Sequence, residues 1–259
     1  MHNAALAAVG LADEWSYEAI DVPPEEFAER VRALPSQGFV GVNVTVPHKR
    51  AALEIAHTAS DAAGEIGAAN TLSFEEGAIG ADNTDAPGFL AALPAPPSGQ
   101  HALVLGAGGS ARAVVWALLR AGARVEVWNR TAARVEELAG ELGATAHQDQ
   151  GELPSREFDL VVNATSVGME APPERAESGS GLASDLGALH LSADGFRHGQ
   201  VVVDLPYGSD ETELTRAATE RGATVIGGLE VLVHQGAASF RIWTGVDPPL
   251  DVMREAARR

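Results

Sequence analysis

The sequence predicts an α/β protein of two domains, and three observations support this. The chain has 259 residues, of which 45% are apolar, and a domain typically holds about 100–150 residues. A Pro- and Ser-rich segment from Pro94 to Gly99 is typical of a linker. After it, short apolar strands alternate with helical patterns of about 11 residues, which indicates βαβ units and a parallel sheet.

Before the linker, the pattern predicts helices and strands in mixed order. The predicted helices cover residues 1–10, 24–34 and 50–59, and the predicted strands cover 15–22 and 39–46. Pro47 ends the second strand, and Glu75-Glu76-Gly77 is the turn of a hairpin over 71–81. This half is therefore also expected to be α/β.

After the linker, the alternation is more regular. Strands are predicted at 102–105, 124–128, 159–163 and 201–205, with helices at 111–121 and 132–142. These runs are apolar and β-branched, as expected for strands covered on both faces.

Composition argues against several classes of function. The net charge is −18, whereas nucleic-acid binding needs a basic surface. No apolar run approaches the roughly 20 residues of a membrane span, so no membrane partner is predicted and a cytoplasmic location is expected. The chain has no cysteine, which excludes disulfides and thiolate zinc sites. Its histidines have no ligand-like spacing, and no metal is predicted.

Lys49 is the only lysine among 18 basic residues. One interpretation is a compositional bias toward arginine that left one lysine by accident. The other is that this position needs a compact ammonium group that can lose its proton, which arginine cannot do.

A glycine-rich run follows the first strand after the linker. Gly106-Ala107-Gly108-Gly109-Ser110-Ala111 matches G-x-G-x-x-A between an apolar strand and a helix. In this context glycine lets the backbone approach a pyrophosphate, and the helix N-terminus offers free N–H groups. The run predicts a Rossmann domain that binds a dinucleotide; the alternative is an ordinary tight strand–helix turn.

The next strand predicts which dinucleotide is bound. NAD-binding domains carry an acid about 20 residues after the glycines, which holds the ribose 2′-hydroxyl. Here the strand ends Trp128-Asn129-Arg130-Thr131, without an acid, and Arg134 follows. Arginine binds a 2′-phosphate well, so NADP is predicted. The alternative is a pair of solvated arginines.

Several runs resemble the signatures of the shikimate dehydrogenase family. Before the linker they are Asn43-Val44-Thr45-Val46-Pro47-His48-Lys49, Gly67-Ala68-Ala69-Asn70-Thr71-Leu72 and Asp82-Asn83-Thr84-Asp85. After it they are Asn163-Ala164-Thr165-Ser166-Val167-Gly168-Met169 and Gly227-Gly228-Leu229, followed by Gln235. The resemblance spans nearly the whole chain and implies reversible NADPH-dependent reduction of 3-dehydroshikimate to shikimate.

The resemblance also implies roles for individual residues. Lys49 would be the catalytic lysine and Asp85 its acidic partner, since a lysine can donate a proton to the alkoxide that forms from a ketone. Substrate-binding residues would be Thr45, Lys49, Asn70, Asp85, Tyr207 and Gln235. Cofactor-binding residues would be Asp61, Gly106, Ala107, Gly108, Gly109, Ser110, Ala111, Asn129, Arg130, Thr131, Arg134, Leu205 and Gly228.

Alternatives remain open for single residues and for the whole chain. Asn70 and Thr71 could cap a turn, and Gln235 could lie on a helix surface. The protein could be a quinate/shikimate dehydrogenase paralogue, or an NADP-binding protein without catalytic activity. The sequence leaves open whether it forms a homodimer.

The interpretation assigns residues 1–88 and 229–259 to a substrate domain and residues 89–228 to the NADP domain, with a cleft between them. Family members carry a strand and a Ser-x-Ser-Pro loop before the His-Asn pair that is His2-Asn3 here. Either the natural protein begins upstream of Met1, or this form lacks part of its site. Of the two, we expect a truncated start, with the first strand missing.

Overall fold

The structure is a computed structural model that describes residues 1–148, 151–169, 185–207 and 211–258. The chain divides into two compact units: unit 1 comprises Met1–Ala92 and Leu229–Arg259, and unit 2 comprises Leu93–Gly228. The predicted boundary at residue 88 falls inside a helix, Asp85–Ala92, that belongs to unit 1. None of the helices in the described ranges is both long and apolar enough to cross a membrane.

The described helices and strands have the following bounds. The strands are β1 (Gly41–Asn43), β2 (Thr58–Ala59), β3 (Thr71–Glu75), β4 (Ala78–Asp82), β5 (His101–Leu105), β6 (Arg124–Trp128), β7 (Thr145–Ala146), β8 (Leu160–Asn163), β9 (Val201–Asp204) and β10 (Thr224–Gly227). The helices are α1 (His2–Ala8), α2 (Phe27–Ala33), α3 (Lys49–Glu54), α4 (Asp61–Ile66), α5 (Asp85–Ala92), α6 (Gly109–Arg120), α7 (Ala132–Leu142), α8 (Asp185–Ala188), α9 (Glu213–Glu220), α10 (Gly228–Thr244) and α11 (Leu250–Ala257).

Unit 1 contains a mixed sheet with the strand order β1-β3-β4-β2. β1 and β4 both pair antiparallel with β3, and β2 pairs parallel with β4. Leu72 on β3 and Ala81 on β4 are paired and buried, and they pack with Phe27 and Val31 of α2 in one apolar cluster. The sheet therefore has a defined buried face, and that face fixes the register of its strands.

Unit 2 contains a parallel sheet with the strand order β10-β9-β8-β5-β6-β7. The central strands are buried along almost their whole length, since residues 102–105 of β5 and 160–162 of β8 are 0% exposed. Such strands belong to a sheet that is covered on both faces. The predicted α/β class, with a Rossmann-type parallel sheet, is confirmed.

The predicted strand over residues 15–22 is wrong. The backbone of Tyr17 is hydrogen-bonded to a side chain rather than to a neighbouring strand. Its N–H donates to Asn3 Oδ1 over 2.7 Å, and its carbonyl accepts from Asn3 Nδ2 over 2.8 Å. A distant asparagine thus supplies the partners that a sheet would have supplied.

The predicted helix over residues 50–59 ends early. α3 stops at Glu54, and Thr58–Ala59 forms β2 beside β4. His57, just before β2, is also bonded to β4. Its backbone N–H donates to the carbonyl of Ile79 over 2.8 Å, and its ring Nδ1 accepts from the backbone N–H of Ile79 over 2.9 Å. Pairing with β4 therefore prevails over the local helical pattern.

Candidate active site

Lys49 and Asp85 form a largely buried ion pair in unit 1. Each is the first residue of its helix, α3 and α5 respectively. Lys49 Nζ donates to Asp85 Oδ2 over 2.6 Å, and the side chains are only 10% and 16% exposed. With so little water around the pair, each charge depends on the other for compensation. The pair therefore holds the Lys49 side chain in a fixed position.

Asn70 connects this ion pair to the rest of unit 1. It is 2% exposed, and its Oδ1 accepts the backbone N–H of Thr84 over 2.7 Å. This bond fixes the orientation of the amide. The Nδ2 then lies 2.9 Å from Asp85 Oδ1 and 3.2 Å from Gln235 Oε1. Asn70 therefore orients the carboxylate that binds Lys49.

Two buried threonines, Thr71 and Thr84, complete the arrangement, and the sequence predicted neither as a site residue. The hydroxyls of Thr71 and Thr84 lie 3.0 Å apart, and each lies 3.2 Å from Asn70 Oδ1. Both residues are at most 2% exposed. The one sequence signal for them is their position inside the recognised runs. The contact between the two threonines joins residues 13 positions apart and has no local pattern.

Gln235 lies on α10 and faces this site. Its Oε1 accepts from Asn70, and its Nε2 donates to the carbonyl of Leu232 over 2.9 Å. The backbone of α10 comes close to α5 here: a Cβ on Gly88 would lie 2.6 Å from the backbone nitrogen of Gln235. The close approach of the helices lets Gln235 reach Asn70.

Thr45 and Asp61 lie in unit 1 but outside the Asn70 hydrogen-bond network. Thr45 is exposed and lines a cavity of about 180 Å³ together with Asn43 and His48. His48 packs on Phe27, with ring centroids 4.5 Å apart. Asp61 is exposed in the first turn of α4. The other predicted cofactor residues all lie in unit 2.

In unit 2, the strand register aligns the ends of five neighbouring strands. Trp128 pairs with Leu105, Leu105 with Asn163, Asn163 with Asp204, and Asp204 with Gly227. The predicted cofactor residues follow directly after β5, β6, β9 and β10. They therefore share the carboxyl edge of the parallel sheet, which is where open α/β sheets bind ligands.

The backbone at Gly106 has no room for a side chain. Gly106 has φ +117°, and a Cβ would lie 2.8 Å from the carbonyl oxygen of Ala164. Two residues later Gly108 is exposed and precedes α6, whose Ala111 is fully buried. A twelve-residue helix thus begins directly after an exposed backbone position.

The segment after β6 carries two exposed arginines. Asn129 Nδ2 donates to the carbonyl of Thr131 over 3.4 Å, and Thr131 precedes α7. Arg130 and Arg134 are exposed, and neither forms an ion pair with any residue that the structure describes. Both guanidinium groups are therefore available to an anion.

Leu205 and Gly228 lie against each other in unit 2. The N–H of Leu205 donates to the carbonyl of Asn163 over 3.0 Å. A Cβ on Gly228 would collide with the carbonyl oxygen of Leu205 and lie 2.8 Å from that of Pro206. Tyr207, two residues after Leu205, is 48% exposed. The segments that follow β9 and β10 are therefore in close backbone contact at Gly228.

The described part of the chain contains no group of three or more histidine, aspartate or glutamate side chains placed to bind a metal ion. The absence of a metal stays a prediction.

Gly88→Ala is expected to destabilise unit 1. The new Cβ would lie 2.6–2.7 Å from backbone atoms of Gln235, so α5 and α10 would have to separate, and overpacking of this kind costs about 1–3 kcal/mol. Gly64→Ala on α4 is the matched control, since no atom lies within 4 Å of its new Cβ. Urea unfolding of both variants measures the difference. A Gly88→Ala variant as stable as Gly64→Ala would contradict the close packing.

Family models match three parts of the chain. Residues 1–72 match the shikimate dehydrogenase substrate binding domain, and residues 92–170 match shikimate / quinate 5-dehydrogenase. Residues 228–258 match the shikimate 5′-dehydrogenase C-terminal domain.

Individual proteins are similar along the whole chain. A shikimate dehydrogenase (NADP(+)) of Thermus thermophilus is 46% identical over 261 residues, covering 100% of this chain and 92% of the relative. A Thermus thermophilus shikimate 5-dehydrogenase solved with NADP(H) and shikimate has a TM-score of 0.84 and 43% identity, covering 100% of this chain and 92% of that one. A 5-ketofructose reductase of Gluconobacter has a TM-score of 0.83 and 31% identity, with 99% and 91% covered. The chain belongs to the shikimate dehydrogenase family.

Proposed function

We propose that this chain catalyses the reversible, NADPH-dependent reduction of 3-dehydroshikimate to shikimate. The observation that carries the proposal is the buried Lys49–Asp85 pair held by Asn70, in a chain of this family. The Thermus relatives support it, because one is named for this activity with NADP(+) and one was solved with both ligands.

The residues of unit 2 fit NADP. The backbone at Gly108 is exposed and could take a pyrophosphate, and α6 begins directly after it, so the N-terminus of the helix faces the same place. Arg130 and Arg134 would hold the 2′-phosphate, with Asn129 and Thr131 beside them. Bound NADPH supplies the hydride for the reduction.

Lys49 would supply the proton. When a hydride adds to a ketone carbon, the carbonyl oxygen becomes an alkoxide and takes up one proton. The Lys49 ammonium donates that proton and stabilises the developing negative charge. Asp85 and Asn70 keep the ammonium in place during the step. In the opposite direction, neutral Lys49 accepts the proton from the hydroxyl group.

Neutral polar groups would bind the substrate. Thr45, Asn70, Gln235 and Tyr207 can donate hydrogen bonds to hydroxyl or carboxylate oxygens, or accept them from hydroxyl groups. Asn70 and Gln235 already hold each other, so their orientations are fixed before the substrate binds. Leu205 and Gly228 would contact the nicotinamide, and Asp61 is a further proposed cofactor contact.

Steady-state assays with different substrates test the proposal. Shikimate and quinate are each oxidised with NADP+ and with NAD+, and 5-ketofructose is offered with NADPH because a structural neighbour reduces it. The highest kcat/KM is expected for shikimate with NADP+. A higher value for quinate, for 5-ketofructose or for NAD+, or no turnover at all, would contradict the proposed function.

Replacement of Lys49 by alanine tests the proton donor. We expect kcat to fall by at least about 100-fold, the low end for a lost acid–base group, with a smaller change in the KM for shikimate. Arg50→Ala, at the next and exposed position, is the control and should keep kcat. A folded Lys49→Ala variant with nearly normal kcat would remove Lys49 from the mechanism.

Replacement of Arg130 and Arg134 by glutamine tests the choice of cofactor. If both bind the 2′-phosphate, affinity for NADP+ should fall far more than affinity for NAD+, with each lost charge-assisted contact costing about 1.5–3 kcal/mol. Arg124→Gln, at the other end of β6, is the control. Isothermal titration measures both affinities, and equal losses for the two cofactors would show that these arginines do not bind the phosphate.

A further inference from the structure

Asp204 is a buried carboxylate at the carboxyl edge of the parallel sheet. It is the last residue of β9 and is 1% exposed, and the described residues offer it no ion pair. Burial raises its pKa, and the negative charge of Asp185 raises it further. Burying a charge of this kind costs stability. We therefore look for a role in the groups to which Asp204 is hydrogen-bonded.

Asp204 is held by two neutral donors. Its Oδ1 accepts from Asn163 Nδ2 over 2.7 Å, and its Oδ2 accepts from the hydroxyl of Thr212 over 2.5 Å. The Thr212 hydroxyl in turn accepts the N–H of Thr215 and begins α9. The carboxylate thus connects the end of β8, the end of β9 and the start of a helix.

The orientation of Asn163 depends on this carboxylate. A carboxylate only accepts hydrogen bonds, so the Nδ2 of Asn163 must face it, and the Nδ2 also donates to the carbonyl of Val167 over 3.0 Å. The Oδ1 is then turned to Thr165, whose N–H and hydroxyl donate over 3.1 and 2.7 Å. The backbone carbonyl of Asn163 accepts the N–H of Leu205. One buried group therefore orders the turn after β8 and the start of the segment after β9.

We propose that Asp204 is a positioning residue for the nicotinamide end of NADP, an inference that rests on the proposed function. It acts through Asn163 and Leu205, and Gly228 packs on Leu205. The adenosine end of NADP is proposed to bind Arg130 and Arg134. These arginines follow β6, which lies three strands away from β9 in the sheet.

The test separates the two ends of the cofactor. Asp204→Ala removes the hydrogen bonds, whereas Asp204→Asn keeps the shape and can still bond both neighbours. Asp159→Ala is the control, because this carboxylate accepts from the His101 N–H and from Arg197 just before the amino end of β8. Affinities for NADPH and for adenosine 2′,5′-bisphosphate, which lacks the nicotinamide half, are measured together with kcat for shikimate.

Asp204→Ala is expected to lower kcat by up to about 100-fold, as misplacement by about 1 Å can. It should weaken NADPH binding while affinity for adenosine 2′,5′-bisphosphate changes less than twofold. Asp204→Asn should recover most of the lost kcat, and Asp159→Ala should resemble the unchanged protein. If Asp204→Ala does not fold, Thr212→Val removes one donor and should give a smaller effect of the same kind.

Two results would overturn the inference. One is a parallel loss of affinity for both ligands, which would mean general damage to unit 2. The other is an Asp204→Ala variant indistinguishable from Asp159→Ala. If the unchanged protein binds NADPH but does not oxidise shikimate, the proposed function fails alone, and the affinity ratio still decides the role of Asp204. If it does not bind NADPH, both fail.

Discussion

The orientation of one side-chain amide, that of Asn70, governs the arrangement of the candidate site in unit 1. Its Oδ1 accepts the backbone N–H of Thr84, so its Nδ2 must face Asp85 and Gln235. These bonds join the β3–β4 hairpin to α5 and α10 through one buried group. Because a buried polar group left unpaired costs about 1–3 kcal/mol, the elements are held at one separation. Lys49 takes its position from the Asp85 carboxylate that this amide orients.

Sequence pattern predicts the fold best where local signals and tertiary pairing agree. The bounds predicted for β6 and α7 are those observed, and the hairpin turns at Glu76-Gly77, both with positive φ. Prediction fails where the backbone forms its hydrogen bonds with a residue far away in the sequence. The Asn3 side chain is hydrogen-bonded to the backbone N–H and carbonyl of Tyr17. Residues 58–59, predicted as helix, pair with β4 instead. No periodicity over a few residues can report such partners.

For the candidate site, too, the sequence predicts some features, and others are visible only in the structure. The family's motifs point to Lys49, Asp85 and Asn70, and the structure brings these side chains together. It also shows why Gly106 must be glycine, since the carbonyl of Ala164 occupies the space of a side chain. That contact, like the bonds of Asp204, joins residues far apart in the chain. The sequence alone gives the residue type at Gly106 and Asp204. It does not give the neighbouring residue in the fold that makes that residue type necessary.

Asp85 and Asp204 differ in what compensates their charge, and the difference matches their proposed roles. Asp85 has an ammonium group at 2.6 Å, whereas Asp204 receives hydrogen bonds from the neutral side chains of Asn163 and Thr212. The neutral side chains of Asn163 and Thr212 fix the position of the Asp204 carboxylate but do not release a proton at ordinary pH. This suits a residue that is proposed to position the cofactor and not to transfer a proton. An ammonium group can release a proton and remain held, and a guanidinium cannot. This requirement gives a physical reason why a chain that uses arginine at every other basic position has its only lysine beside Asp85.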